Sequence, residues 1–144
     1  MKKAVMSNIF YRQGNELDLD QVIDLYRRST LGERRPVNNR PVMEGMLRQA
    51  DLVFTAWHEE TLVGIARTLT DFCYVAYLAD LAVDLAYQKR GIGRALIERT
   101  RAALDPTCFI TLLAAPAAQH YYPKVGFSPN PRAWMLAAAV NPAG

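Results

Sequence analysis

Asp80-Leu81-Ala82-Val83-Asp84-Leu85-Ala86-Tyr87-Gln88-Lys89-Arg90-Gly91-Ile92-Gly93-Arg94-Ala95-Leu96 is the stretch on which the fold turns. It begins at the end of Tyr74 to Val83, a segment apolar or aromatic throughout except for Asp80, as a central strand covered on both faces would be. It runs into a segment whose apolar positions Ile92, Ala95, Leu96, Ala103 and Leu104 share one helical side, while Arg94, Glu98, Arg99 and Arg101 are free to face water. Between strand and helix, Gly91 and Gly93 let the backbone turn with its N–H groups converging, where the first helical turn leaves four N–H groups without partners. Such a nest at a helix start attracts phosphate oxygens, and Lys89, Arg90 and Arg94 add positive potential. A tight strand-to-helix turn with no ligand explains the Gly-x-Gly element alone equally well. No third glycine follows at dinucleotide-fold spacing, and no Gly-Lys-Ser/Thr is present, so a Rossmann fingerprint and a Walker loop are both excluded.

Outward from this turn the pattern alternates between helix and strand. Leu19 to Thr30 carries Val22, Ile23, Leu25 and Tyr26 at helical spacing behind Asp18 or Asp20 as a cap. A polar loop, Leu31 to Pro36, separates it from a second helix over Pro41 to Ala50. Leu52 to Trp57 and Leu62 to Thr70 form a hairpin about the turn at His58 to Thr61. Beyond the central helix, which Asp105-Pro106 ends, Cys108 to Ala114 is expected as a strand, Ala117 to Lys124 as a short helix and Ala133 to Ala139 as a closing strand. One further strand is expected before Asp18. The order is that of a mixed α/β chain.

Composition narrows the function. A chain of 144 residues, 51% hydrophobic, has one core's worth of apolar surface, so a single domain over 1–144 is expected. The net charge of +3 comes from scattered lysines and arginines, without the basic stripe and interleaved aromatics of a nucleic-acid surface. Cys73 and Cys108 lie in apolar or aromatic sequence and are expected to be buried, reduced thiols, as in a cytosolic protein. His58 and His120 lack metal-ligand spacing, so no metal is expected. Lys2 and Lys3 are followed by Arg12, Gln13, Asn15 and Glu16 rather than an apolar run, and no segment approaches the ~20 apolar residues that span a bilayer. A cytoplasmic location, with neither membrane nor nucleic acid as a partner, is the resulting expectation.

Two motifs make the chain similar to the GCN5-related N-acetyltransferase family. That family's coenzyme signature, glutamine or arginine, two residues, glycine, one residue, then glycine or alanine, is matched by Gln88, Gly91 and Gly93. A second signature, an aromatic and a tyrosine before residue-lysine-residue-glycine-phenylalanine, is matched by Tyr121-Tyr122-Pro123-Lys124-Val125-Gly126-Phe127. The resemblance covers about Tyr74 to Phe127. It implies a mostly antiparallel central sheet flanked by helices, with the strand ending at Val83 splayed from the strand at Phe109 to Ala114 to open an acyl-CoA slot.

The same resemblance implies acetyl transfer from acetyl-CoA to a primary amine of a small acceptor, by direct attack in a ternary complex. Backbone N–H groups from Arg90 through Ile92 to Arg94, with Gln88 and Lys89 beside them, would receive the coenzyme diphosphate. Leu81, Ala82 and Val83 would pair with its pantetheine arm. Tyr122 maps onto the family's general acid, Tyr77 onto the position where members often place a base, and Asp80 is the one carboxylate within the strand. A hydrogen-bonded structural aspartate is the alternative for Asp80. Arg27, Arg28, Glu33 and Arg34 would lie at the acceptor cleft, a mixture suited to an amine that also bears a carboxylate or phosphate, with Asp71, Phe72 and Tyr74 as further neighbours. Two other readings stay open: a non-catalytic acyl-CoA-binding module and a protein or peptide N-acetyltransferase. Relatives are often homodimers, and Ala133 to Ala139 would pair either within the chain or across subunits.

Overall fold

The computed structural model describes residues 8–143; Met1 to Ser7, part of the stretch inspected for a leader, and Gly144 lie outside the described residues. Strand β1 (Phe10–Gln13) is the one expected before Asp18. Helix α1 (Leu19–Arg28) starts where the Asp18 carboxylate accepts from the Asp20 N–H and ends on Arg27 and Arg28, a charge order that suits the helix dipole. Its buried stripe is Leu19, Val22, Ile23, Leu25 and Tyr26. After a 3₁₀ turn at Leu31–Arg34, helix α2 (Arg40–Arg48) is capped by the Asn39 side chain, with Pro41 in its first turn. Strands β2 (Leu52–His58), β3 (Thr61–Thr70) and β4 (Val75–Val83) follow, then helix α3 (Ile92–Ala102) and strand β5 (Phe109–Thr111).

The sheet order is β1-β2-β3-β4-β5, antiparallel except for the parallel β4–β5 pair. One face packs on α1 and α2 through Tyr26, Leu25, Met43, Leu47, Trp57 and Ile65. The other packs on α3 through Phe54, Ala66, Leu78, Ile92, Leu96 and Ile97. This is the mixed, mostly antiparallel sheet between helices that the sequence implies.

Two irregularities in β4 and its pairing shape the sheet edge. Arg67 of β3 faces Asp80 while the next residue, Thr68, faces Leu78, so Ala79 is an extra residue in β4. A bulge of this kind breaks alternation: Ala76 and Leu78 belong to the α3-side core, whereas Asp80 meets Tyr26 and Ala82 belongs to the α1/α2 side. Second, β5 pairs with β4 only from Val75↔Phe109 to Tyr77↔Thr111. Beyond Thr111 the two segments diverge.

The carboxy-terminal part departs from expectation. The strand foreseen over Cys108 to Ala114 is only three residues long. In place of one helix over Ala117 to Lys124 there are two 3₁₀ turns, Pro116–Ala118 and Tyr122–Val125, because Pro123 removes a backbone donor in mid-segment. Ala133 to Ala139 forms no strand; Trp134, Met135 and Leu136 are exposed. Pro129 and Pro131 precede it, and the retreat of the chain after Thr111 leaves little sheet edge to pair with. Asn39 Nδ2 donates to the Pro142 carbonyl at 2.8 Å and ties the segment's end to α2. Cys73 is exposed and Cys108 half-buried, so the expectation of two buried thiols fails as well. Cys73 lies in the turn closed by Asp71, outside any packed layer.

Candidate active site

Where β4 and β5 part, a cleft of about 680 Å³ opens. Ala79, Leu81, Ala82 and Val83 form one wall and Leu112 to Ala114 the other. Past Tyr77, β4 has no hydrogen-bonded strand on this side among the described residues, so its edge offers peptide groups to an extended ligand. Gln88 Nε2 donates to the Val83 carbonyl at 3.1 Å, which gives the glutamine of the first motif a defined task at the strand's end.

The turn beyond Val83 is built by local chemistry. The Asp84 carboxylate accepts from the Ala86 N–H and pairs with Arg28, pinning a 3₁₀ turn at Leu85–Tyr87. Lys89 (φ 65°) and Gly91 (φ 83°) then take left-handed conformations, a region that glycine enters at no steric cost. The Ala95 N–H donates to the Gly91 carbonyl at 3.0 Å, so the N–H groups of Ile92, Gly93 and Arg94 precede the first intrahelical bond and project from the start of α3. These are the groups the sequence assigns to an anion. The Ile92 side chain is buried in the core, so only its backbone is available. A Cβ on Gly93 would lie 2.8 Å from the Tyr121 hydroxyl; the second glycine admits a tyrosine of the second motif. Arg94 Nη2 donates to the Lys124 carbonyl, and the Arg90 guanidinium lies 5.1 Å over the Tyr87 ring. The two motifs therefore touch.

Tyr122 and Tyr77 both line the cleft. Tyr122 packs edge-on against Tyr121 and Phe127, and its hydroxyl has no hydrogen-bond partner among the described residues. Burial, helped by Tyr121, pushes its phenol above the ordinary tyrosine value despite the opposing charge of Arg35. It is protonated at neutral pH and able to donate.

Asp80 does not line the cleft. Its side chain is fully buried, with Arg35 Nε and Arg67 Nε each 2.6 Å from a carboxylate oxygen and the Tyr26 hydroxyl donating at 2.5 Å. Burial alone would raise its pKa, but the two guanidiniums and the hydrogen bonds from Arg67 and Tyr26 outweigh it and hold the group below the usual aspartate value. Burial and the Asp80 charge in turn push Tyr26 well upward. A carboxylate so enclosed has no free face for an amine. It clamps β4 to α1 and to the loop after it, which is the structural alternative.

The acceptor-side expectations are partly redrawn. Arg27 donates to Asn38 and Arg28 pairs with Asp84, so neither faces the cleft. Asp71 accepts from the N–H groups of Cys73, Tyr74 and Val75, a turn-closing role. Arg34 does line the cleft, joined by Arg35 and Arg67, which sequence reasoning did not single out. Their shared partner, Asp80, was the available signal. Among the described residues, no group of three or more His, Cys, Asp or Glu is placed to hold a metal ion, and no helix is long and apolar enough to cross a membrane.

Residues 49–129 match the family profile described as acetyltransferase (GNAT) domain. A curated relative, GCN5-related N-acetyltransferase 2, chloroplastic, from Arabidopsis thaliana, is 36% identical over 75 residues, 51% of this chain and 29% of its own length. The matched stretch thus spans under a third of that relative. A GNAT-family acetyltransferase from Streptococcus pneumoniae TIGR4 superposes with a TM-score of 0.73 at 20% identity, covering 90% of this chain and 99% of the other. Aminoglycoside N-acetyltransferase AAC(6')-Iy, solved in complex with CoA, superposes with a TM-score of 0.68 at 21% identity over 92% and 95% of the two chains. At these identities the structural matches speak for the fold.

Proposed function

The chain belongs to the GNAT acetyltransferase family, and from that premise we propose that it is an N-acetyltransferase that moves acetyl from acetyl-CoA to the primary amine of a small acceptor. One observation carries this: the cleft left by the diverging β4 and β5 is lined at one end by Val83, Leu85 and Gln88, on the turn that leads to the start of α3, and has Tyr122 in its wall. The residues present suit the donor. An unpaired strand edge at Leu81, Ala82 and Val83 matches the amides of a pantetheine arm, and the start of α3 matches a diphosphate.

In the ternary complex the neutral amine nitrogen attacks the thioester carbonyl carbon. The C–N bond forms, charge gathers on the carbonyl oxygen, and an N–H of β4 near Leu81 or Ala82 meets it. The C–S bond then breaks. The sulfur takes a proton from the Tyr122 hydroxyl, which is replenished from water, and the nitrogen releases its own proton to water. Alignment of the reactants within the cleft supplies the larger share of the acceleration, so no buried base is required.

The test is release of free thiol from acetyl-CoA in the presence of separate amine classes: amino acids, amino phosphates, polyamines, aminoglycosides and peptides. Turnover with a small amine supports the proposal. Tight acetyl-CoA binding without turnover in any class would instead indicate a binding module, and turnover confined to peptides would indicate a peptide acetyltransferase.

A further inference from the structure

The acceptor end of the cleft carries a charge pattern that the transfer chemistry does not explain. Arg34, Arg35 and Arg67 all line it, and no aspartate or glutamate is among its lining residues. Asp80 lies behind the wall, buried, and pairs with Arg35 and Arg67 together. Three guanidiniums against this one carboxylate leave two positive charges facing the cavity. The arginines keep donors in reserve. A guanidinium has five N–H groups. Arg35 gives one each to Asp80, the Arg34 carbonyl and the Ala79 carbonyl, and Arg67 gives one each to Asp80 and the Met46 carbonyl. Arg34 has no side-chain hydrogen bond or ion pair among the described residues and is exposed. Ser29 and Thr30 border the same cleft.

These arginines are not placed for the coenzyme diphosphate. Their anchor, Asp80, lies three residues before Val83, ~10 Å at strand rise, and the projecting N–H groups of α3 come only after the further turn at 84–91. The cleft lining includes all three arginines and none of residues 89–94, so the two positive regions are separate.

Resting on the acetyltransferase proposal above, we infer that the acceptor is an amine that also bears an anionic group, a carboxylate or a phosphate, which Arg34 binds together with the spare donors of Arg35 and Arg67. Planar guanidiniums recognise such groups through paired N–H bonds. The same field disfavours an ammonium at the reacting nitrogen and so helps to present the neutral nucleophile. A polycation such as an aminoglycoside, a polyamine or a lysine-rich peptide meets only repulsion here, because the lining holds no carboxylate to receive it. The aminoglycoside acetyltransferase of the same fold therefore shares this chain's scaffold without predicting its acceptor.

The experiment is a calorimetric titration of inorganic phosphate into protein saturated with acetyl-CoA, which fills the diphosphate site first. Alongside it, turnover is compared for 2-aminoethyl phosphate against ethanolamine, and for a short ω-amino carboxylate against its amide. Phosphate binding that weakens about fivefold in Arg34→Ala, is lost in Arg34→Glu and returns in Arg34→Lys bears the inference out; fivefold corresponds to about 1 kcal/mol for one exposed charge contact. A higher kcat/KM for the anionic member of each pair, reduced toward parity in R34A, does the same. Phosphate that does not bind the acetyl-CoA complex, binding indifferent to residue 34, or preferred turnover of spermidine overturns it while leaving the transferase proposal intact. Failure of the wild-type protein to bind acetyl-CoA at all overturns the transferase proposal and this inference with it.

Discussion

Replacing Asp80 with asparagine separates a charge clamp from a catalytic base. The substitution preserves shape but removes the charge to which Arg35 and Arg67 donate at 2.6 Å and Tyr26 at 2.5 Å, and the side chain has no solvent exposure through which water could compensate. Breaking one partner out of a buried ion cluster costs about 3–5 kcal/mol, because the remaining charges stay buried and uncompensated. Against a typical total stability of about 5–15 kcal/mol the protein still folds at low temperature. At about 2–4 °C per kcal/mol for a chain near this size, its Tm falls by roughly 10 °C. Thermal melts followed by circular dichroism at neutral pH read this directly, with a urea titration to check that the slope, and hence the compactness of the states, is unchanged. A double replacement, Asp80→Leu with Arg67→Met, should cost less than D80N, since it removes one of the two guanidiniums along with the carboxylate. If D80N melts within a degree or two of wild type yet abolishes turnover, Asp80 is a base and the clamp is refuted.

The same geometry dictates three further outcomes. Because its neighbours hold ionised Asp80 below the ordinary aspartate value, its contribution is fully present above the unfolded pKa of ~3.9 and is lost as pH falls through the depressed folded value; acid unfolding curves of D80N should lack that part of the slope. Gly93→Ala drives a Cβ to 2.8 Å from the Tyr121 hydroxyl and should cost about 1–3 kcal/mol. Adding Tyr121→Phe, which leaves only the ring carbon at 3.6 Å, should restore most of it; an equal loss with either residue at 121 would place the constraint elsewhere. Tyr122→Phe should lower turnover about 10²-fold while acetyl-CoA affinity stays near that of wild type, and unchanged turnover at saturating substrates would remove the tyrosine from proton transfer.

The sequence was legible wherever the determinant is local. Turn glycines, helix caps and apolar periodicity each act within a few residues, so the strand-turn-helix around Gly91, the pairing of the hairpin and the identity of α1 and α2 could be read directly. The segment after Phe127 could not. Its alanine-rich, apolar run has strand-like composition, but a strand exists only where an edge accepts it, and three residues of β5 do not supply one.

What the chain order alone determined is the backbone of the proposed donor site: the largely apolar strand that leads into the nest, the nest before α3, and the tyrosine pair. What tertiary structure decided is the chemistry of the proposed acceptor side. The extra residue at Ala79 turns Asp80 and Ala82 to the face opposite Leu78, reversing what strict alternation would give. Asp80 then meets Tyr26, Arg35 and Arg67 from 54, 45 and 13 residues away. Whether a carboxylate is a base or a buried counter-ion depends on which charges the fold brings within hydrogen-bond reach, and no local pattern carries that information.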